Sequence, residues 1–123
     1  MIYTIINTEY LDSVSGGDPE ITREIINIFK EQVVEIFNEM TAHLSSKNYL
    51  LLGLLAHKAK SSVAIMGMND LAVMLKTLEL QAREGKEPEL YESYVQRFKS
   101  ETDAAIIELD DLTSVLSEKK NAQ

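Results

Sequence analysis

The chain has no cysteine, only two histidines and no long apolar run in its 123 residues. Without cysteine, a disulfide framework, a thiolate zinc site and a cysteine nucleophile are all excluded, so stability must come from packing; a reducing compartment fits. The first residues, Met-Ile-Tyr-Thr-Ile-Ile-Asn, lack the basic start and sustained apolar stretch of a signal peptide. Nothing later approaches the roughly 18 uninterrupted apolar residues that a membrane span requires, so a cytoplasmic protein without a membrane partner is expected. Basic residues are few: 12 Lys and Arg face 20 Asp and Glu, for a net charge of -8 with no local basic stripe. Such a surface repels phosphate backbones, which excludes nucleic acid as a partner but leaves a protein with a neutral or basic docking face.

What the chain does have is helical periodicity along nearly its whole length, with only a weak strand candidate at residues 2 to 6. A short helix is expected over Thr8 to Val14, ended by Ser15-Gly16-Gly17. Asp18 then supplies an N-cap and Pro19 the first helical position. Ile25, Phe29, Val33, Ile36, Met40 and Leu44 form the apolar stripe of a long second helix. Ser45 to Asn48 separate it from a third, with Leu51, Leu55, Ser62 and Ile65 along one side, closed by Gly67. A fourth helix, capped by Asn69 or Asp70, turns Leu71, Met74, Leu75, Leu78 and Ala82 inward, and Gly85 and Pro88 mark the next turn. The last helix is expected from about Glu89 to Leu116, with Tyr91, Tyr94, Phe98, Ala105, Leu109, Leu112 and Leu116 inward and a frayed polar tail over 117 to 123. These lengths and short connections define one all-α domain over residues 1 to 123: an antiparallel four-helix bundle with a short accessory N-terminal helix.

Reactive chemistry concentrates on the third helix. Gly53, His57, Lys60, Ser61 and Ala64 share a face that begins and ends in small residues, away from the expected core stripe, so His57 should be accessible to an approaching protein. A neutral imidazole is a competent nucleophile near neutral pH, and phosphoryl transfer needs mainly an in-line approach and positive charge beside the moving oxygens. Lys60 can supply that charge and Ser61 a hydroxyl. Taken alone, each is most simply a solvated helix residue. Other constellations are weaker. His43 and His57 have no partners at metal-binding spacing, Glu108, Asp110 and Asp111 read as a solvated face, and no third residue is evident to orient the imidazole beside Ser61. Met66, Met68 and Met74 read as core filling.

The order of residues resembles the histidine-containing phosphotransfer domains of multistep phosphorelays. Their signature of histidine, lysine three positions on, two small residues and a glycine ten positions after the histidine falls on His57, Lys60, Ser61, Ser62 and Gly67, with Ala56 before the histidine and Leu78-Glu79 on the next helix. Tyr10-Leu11, Gly17-Asp18-Pro19-Glu20, Phe29 and Gln32 are similar to the family's approach to the bundle. Ser61 departs from the glycine of many members, which bears on partner preference. The resemblance implies a monomer whose histidine takes a phosphoryl group on Nε2 from the aspartyl phosphate of one response-regulator receiver domain and passes it to the aspartate of another. It implies no autokinase activity and no intrinsic cofactor, the divalent ion, such as Mg, residing on the receiver. A hybrid sensor histidine kinase is a further expected partner. Leu54, Ala64 and Ile28, with Gly53 beside them, would belong to the docking surface, while Gly67, Asp18 and Pro19 would be structural. Two other functions compete: an adaptor or inhibitor of the same shape that binds a receiver or kinase without being phosphorylated, and, more remotely, a small metal-dependent enzyme.

Overall fold

The computed structural model describes the backbone of residues 1–121 and the side chains of residues 1–118. Among these residues there are five α-helices and no strand: α1 Glu9–Ser15, α2 Pro19–Ser45, α3 Tyr49–Ile65, α4 Asn69–Glu84 and α5 Tyr91–Asn121, the last preceded by a 3-10 turn at Pro88–Leu90. Helices α2 to α5 pack as a bundle in which α3 lies against both α2 and α4, and α5 closes the ring against α2 and α4; α1 packs on α2. The start of α2 follows from capping, since Asp18 Oδ1 accepts from the N–H groups of Glu20 at 2.8 Å and Ile21 at 3.4 Å, with proline in the first turn.

The periodicity of α2 and α4 translates into burial of Phe29, Val33, Ile36 and Met40, and of Leu71, Met74, Leu75, Leu78 and Ala82. Met66, Met68 and Met74 are all buried in the core. Helix α3 departs from expectation: Leu52, Leu55, Ala56, Ala59, Ser62 and Val63 are inward, whereas Leu51 is exposed and Ile65 only half-buried. Apolar side chains follow one another around the start of α3, at Leu50, Leu51, Leu52, Leu54 and Leu55, so its pattern lacks the single-sided contrast on which the expectation rested. Similarly Ile26, not Ile25, is the fully buried residue of its pair. Met68, rather than Asn69 or Asp70, occupies the N-cap of α4 and makes no side-chain capping bond. The last helix begins at Tyr91 rather than Glu89 and continues past Leu116 to Asn121, so the frayed tail expected from 117 begins within helix; residues 122 and 123 lie outside those described.

The N-terminal segment is not a strand but a strap. The N–H groups of Thr4, Ile5 and Ile6 all donate to the carboxylate of Glu108 on α5, each at 3.0 Å at its closest. The Tyr3 hydroxyl donates to Asp111 at 2.9 Å, and Asp110 pairs with Lys30 at 2.6 Å. The acidic run of α5 is therefore not a plain solvated face: Glu108 is buried and Asp111 half-buried. A carboxylate thus replaces a neighbouring strand as acceptor for the segment's backbone donors. Burial alone would raise the Glu108 pKa, but the N–H donors of Ile6, Thr4 and Ile5 outweigh it and hold the group below the ordinary glutamate range. Because the folded value is depressed, this stabilisation is present above the unfolded glutamate pKa of about 4.3 and is lost as pH falls through the folded value. Glu108→Gln should accordingly lower unfolding free energy by about 2–3 kcal/mol at pH 7, with the difference from wild type shrinking below about pH 4; urea titrations at the two pH values check both statements.

Candidate functional site

His57 lies near the middle of α3, with 56% of its side chain exposed. Its Nδ1 is 3.1 Å from Oε2 of Glu79, which projects from the facing helix α4 and is 1% exposed. Glu79 sits four residues after Leu75 and three before Ala82, both core positions, so the periodicity of α4 drives it inward. Burial opposes its ionisation, but the hydrogen bond from His57 and the positive charges of Lys76 and Lys60 prevail and hold the carboxyl below its usual range. An ionised carboxylate can only accept, so Nδ1 carries the ring proton and the lone pair of the neutral imidazole resides on Nε2.

Further cations converge on the same carboxylate. Arg83 Nη2 is 2.8 Å from Oε2, while Lys60 Nζ and Lys76 Nζ stand 3.5 Å and 3.9 Å from Oε1. In a chain of net charge -8, this is a local concentration of positive charge around a half-exposed imidazole. Lys60 is one turn from His57 on α3, as expected, and is partly buried at 26% exposure. Ser61 is exposed and lines, with Ala64, Ile65, Asn7 and Tyr10, a shallow cavity of about 370 Å³ between α3 and the N-terminal region. Ser62 instead turns to α2 and donates to Gln32 Oε1 at 3.1 Å.

Of the expected docking residues, Leu54 and Ile28 are half-exposed apolar side chains and Ala64 is exposed. Ile28 lines a groove of about 240 Å³ with Ile25, Phe29, Gln32, Ser62 and Ile65. Leu50 adds a further exposed apolar side chain one turn before Leu54. Gly53 does not belong to this surface. It is buried against α4, where a Cβ would lie 3.2 Å from the Glu79 carbonyl oxygen and 3.5 Å from Ala82 Cβ, so its role is to let the two helices approach. Gly67 follows α3 at φ 72° and packs beneath Asn7, while Asp18 and Pro19 open α2. The residue missing from the sequence reading as an orienting group for the imidazole is Glu79. Its signal was available, because a carboxylate at an inward-facing register of an amphipathic helix needs a buried partner.

Among the described residues, no cluster of three or more histidine or acidic side chains could hold a metal ion, and no helix is long and apolar enough to cross a membrane. A half-exposed imidazole hydrogen-bonded to a buried carboxylate thus stands on a helical bundle, and the sequence supplies its class: the pattern of the Hpt domain matches residues 24–117, and the chain belongs to that family. Hpt domains have a phosphotransfer role in phosphorelay signalling and interact with receiver domains and kinases. The match begins inside α2, leaving the strap and α1 outside it. The chain is also similar to the ATP synthase epsilon chain of Rickettsia prowazekii, 39% identical over 57 residues, a stretch that covers 46% of this chain and 51% of that protein. So partial a likeness carries no function across. No solved structure matches.

Proposed function

We propose that His57 is a phosphoryl carrier between receiver domains. Its Nε2 attacks the phosphorus of a receiver aspartyl phosphate, an N–P bond forms as the P–O bond to the aspartate breaks, and the carboxylate leaves with its electron pair; transfer to a second receiver reverses these events. The observation that carries this is the bond from Nδ1–H to buried Glu79, because it leaves Nε2, on a ring more than half exposed, as the nucleophile. As Nε2 gives its lone pair to phosphorus, positive charge grows on the ring, and the fixed Glu79 carboxylate stabilises it without reorganising. Lys60 offers charge to the phosphoryl oxygens and Ser61 a hydroxyl donor one helical turn from His57. The receiver brings its aspartate and a divalent ion such as Mg; this chain needs none. Docking falls on the apolar positions around His57, namely Leu54, Ala64 and Ile28, with the protein acting as a cytoplasmic monomer.

A relay assay tests the proposal. A receiver charged with labelled phosphate should lose label to this chain, and a second receiver should then remove it. Stable binding of receivers with no label on the chain would instead favour an adaptor. Glu79→Gln, which keeps the shape and removes the charge, should slow uptake about ten- to a hundredfold, by analogy with the carboxylate partners of metal-bound histidines, with receiver affinity unchanged; single-turnover transfer rates measured against receiver concentration separate the two.

A further inference from the structure

Arg83 reaches Glu79 from within α4, four residues on, and its Nη2 contacts the same oxygen, Oε2, that accepts the His57 Nδ1–H bond. The other oxygen, Oε1, is buried and accepts no hydrogen bond; Lys60 and Lys76 stand beyond bonding geometry at 3.5 Å and 3.9 Å. The final torsion of a glutamate side chain is soft, so the two lysines pull the carboxylate toward a pose in which Oε2 leaves His57. Opposing this rotation requires a positive charge held on the Oε2 side. Arg83 supplies that charge, its Nη2 lying 2.8 Å from Oε2 and nearer than either lysine is to Oε1. Its stem runs along the place left open by Gly53, where a Cβ would lie 3.6 Å from Arg83 Cγ.

We propose that Arg83 is a positioning residue for His57: by pinning Glu79 Oε2 it keeps the ring proton on Nδ1 and the lone pair on the exposed Nε2. The proposal rests on the phosphoryl-carrier function and adds to it the residue that sets the tautomer. An ordinary i,i+4 ion pair on a helix surface stabilises the helix slightly and does nothing more. Here one partner is buried and shared with the imidazole, which gives the pair a readout that helix stability lacks.

The test uses uniformly ¹⁵N-labelled full-length chain in long-range ¹H–¹⁵N correlation spectra recorded at pH 8, where the two neutral tautomers of an imidazole have distinct nitrogen shifts. Wild type should show His57 as the Nδ1–H form. Arg83→Ala should move it toward the Nε2–H form favoured by free imidazoles, Arg83→Lys should restore part of the Nδ1–H population, and Lys76→Ala should leave it in place. With a charged receiver, Arg83→Ala should slow uptake about tenfold, with no change in the receiver concentration for half-maximal rate. Retention of the Nδ1–H form in Arg83→Ala would overturn the proposal, leaving Arg83 as a helix-stabilising partner. The tautomer is read without any receiver, whereas absence of uptake by the wild type would count against the carrier function itself, so the two claims fail separately.

Discussion

His57→Gln should take up no phosphoryl group from any receiver that charges the wild type, while its unfolding free energy stays within about 1 kcal/mol of wild type. The loss is total because an amide has no nucleophilic lone pair to replace Nε2. The fold survives because the ring is more than half exposed and its hydrogen-bond partner is one carboxylate oxygen. A glutamine amide can still donate to Glu79, which moreover keeps Arg83 at 2.8 Å, so no buried charge is left unpartnered. Radiolabel transfer and a urea titration on the same preparation check both halves. A variant that loses uptake only because it unfolds would show itself in the second.

Gly67→Ala should be the most damaging conservative change in the chain. The residue has φ 72°, and a Cβ added there would stand 2.5 Å from the carbonyl oxygen and 2.6 Å from the Cβ of Asn7. The left-handed backbone alone costs a residue with a side chain about 1–2 kcal/mol. The collision adds to it, because what must move is the backbone of the strap, whose Asn7 N–H donates to Met66 O at 2.9 Å. The expected total is roughly 3 kcal/mol, a fall of about 10 °C in Tm. Gly85→Ala is the control: its φ is similar at 66°, yet a Cβ there meets nothing within 4 Å, so the backbone cost alone remains. Thermal unfolding of the two variants should differ by the collision with Asn7. Since Asn7 also borders the cavity beside Ser61, Gly67→Ala should weaken receiver docking as well as stability.

Local physics made much of this legible in the sequence. Caps and apolar spacing place α2 and α4 to within a residue or so, because each buries one stripe against the bundle and leaves the other face wet. The same logic misplaced the stripe of α3, where apolar side chains surround the first turns and only packing makes Leu52 and Val63 inward and Leu51 outward. The least legible features depend on partners far away in the chain. Glu108 looks like one more surface acid until the strap, more than a hundred residues earlier, brings three N–H groups to it. Glu79 and His57 are 22 residues apart on facing helices, a pairing that neither helix announces alone. Gly53 was placed with His57 by its spacing, yet the inward turn that brings it against Ala82 is visible only once α4 is in place. The exposure of His57 and the closeness of Lys60, by contrast, follow from one helix and were readable from it.

On the proposed function the phosphoryl group of the charged chain resides on Nε2 of His57. Charging the ¹⁵N-labelled chain through a phosphorylated receiver at pH 8, and reading ³¹P–¹⁵N coupling and the ring-nitrogen shifts before the phosphoramidate hydrolyses, locates it. One phosphorylated residue is expected, His57, with phosphorus coupled to Nε2 and the proton retained on Nδ1 against Glu79. Phosphorus on Nδ1, on His43 or on any carboxylate would contradict it.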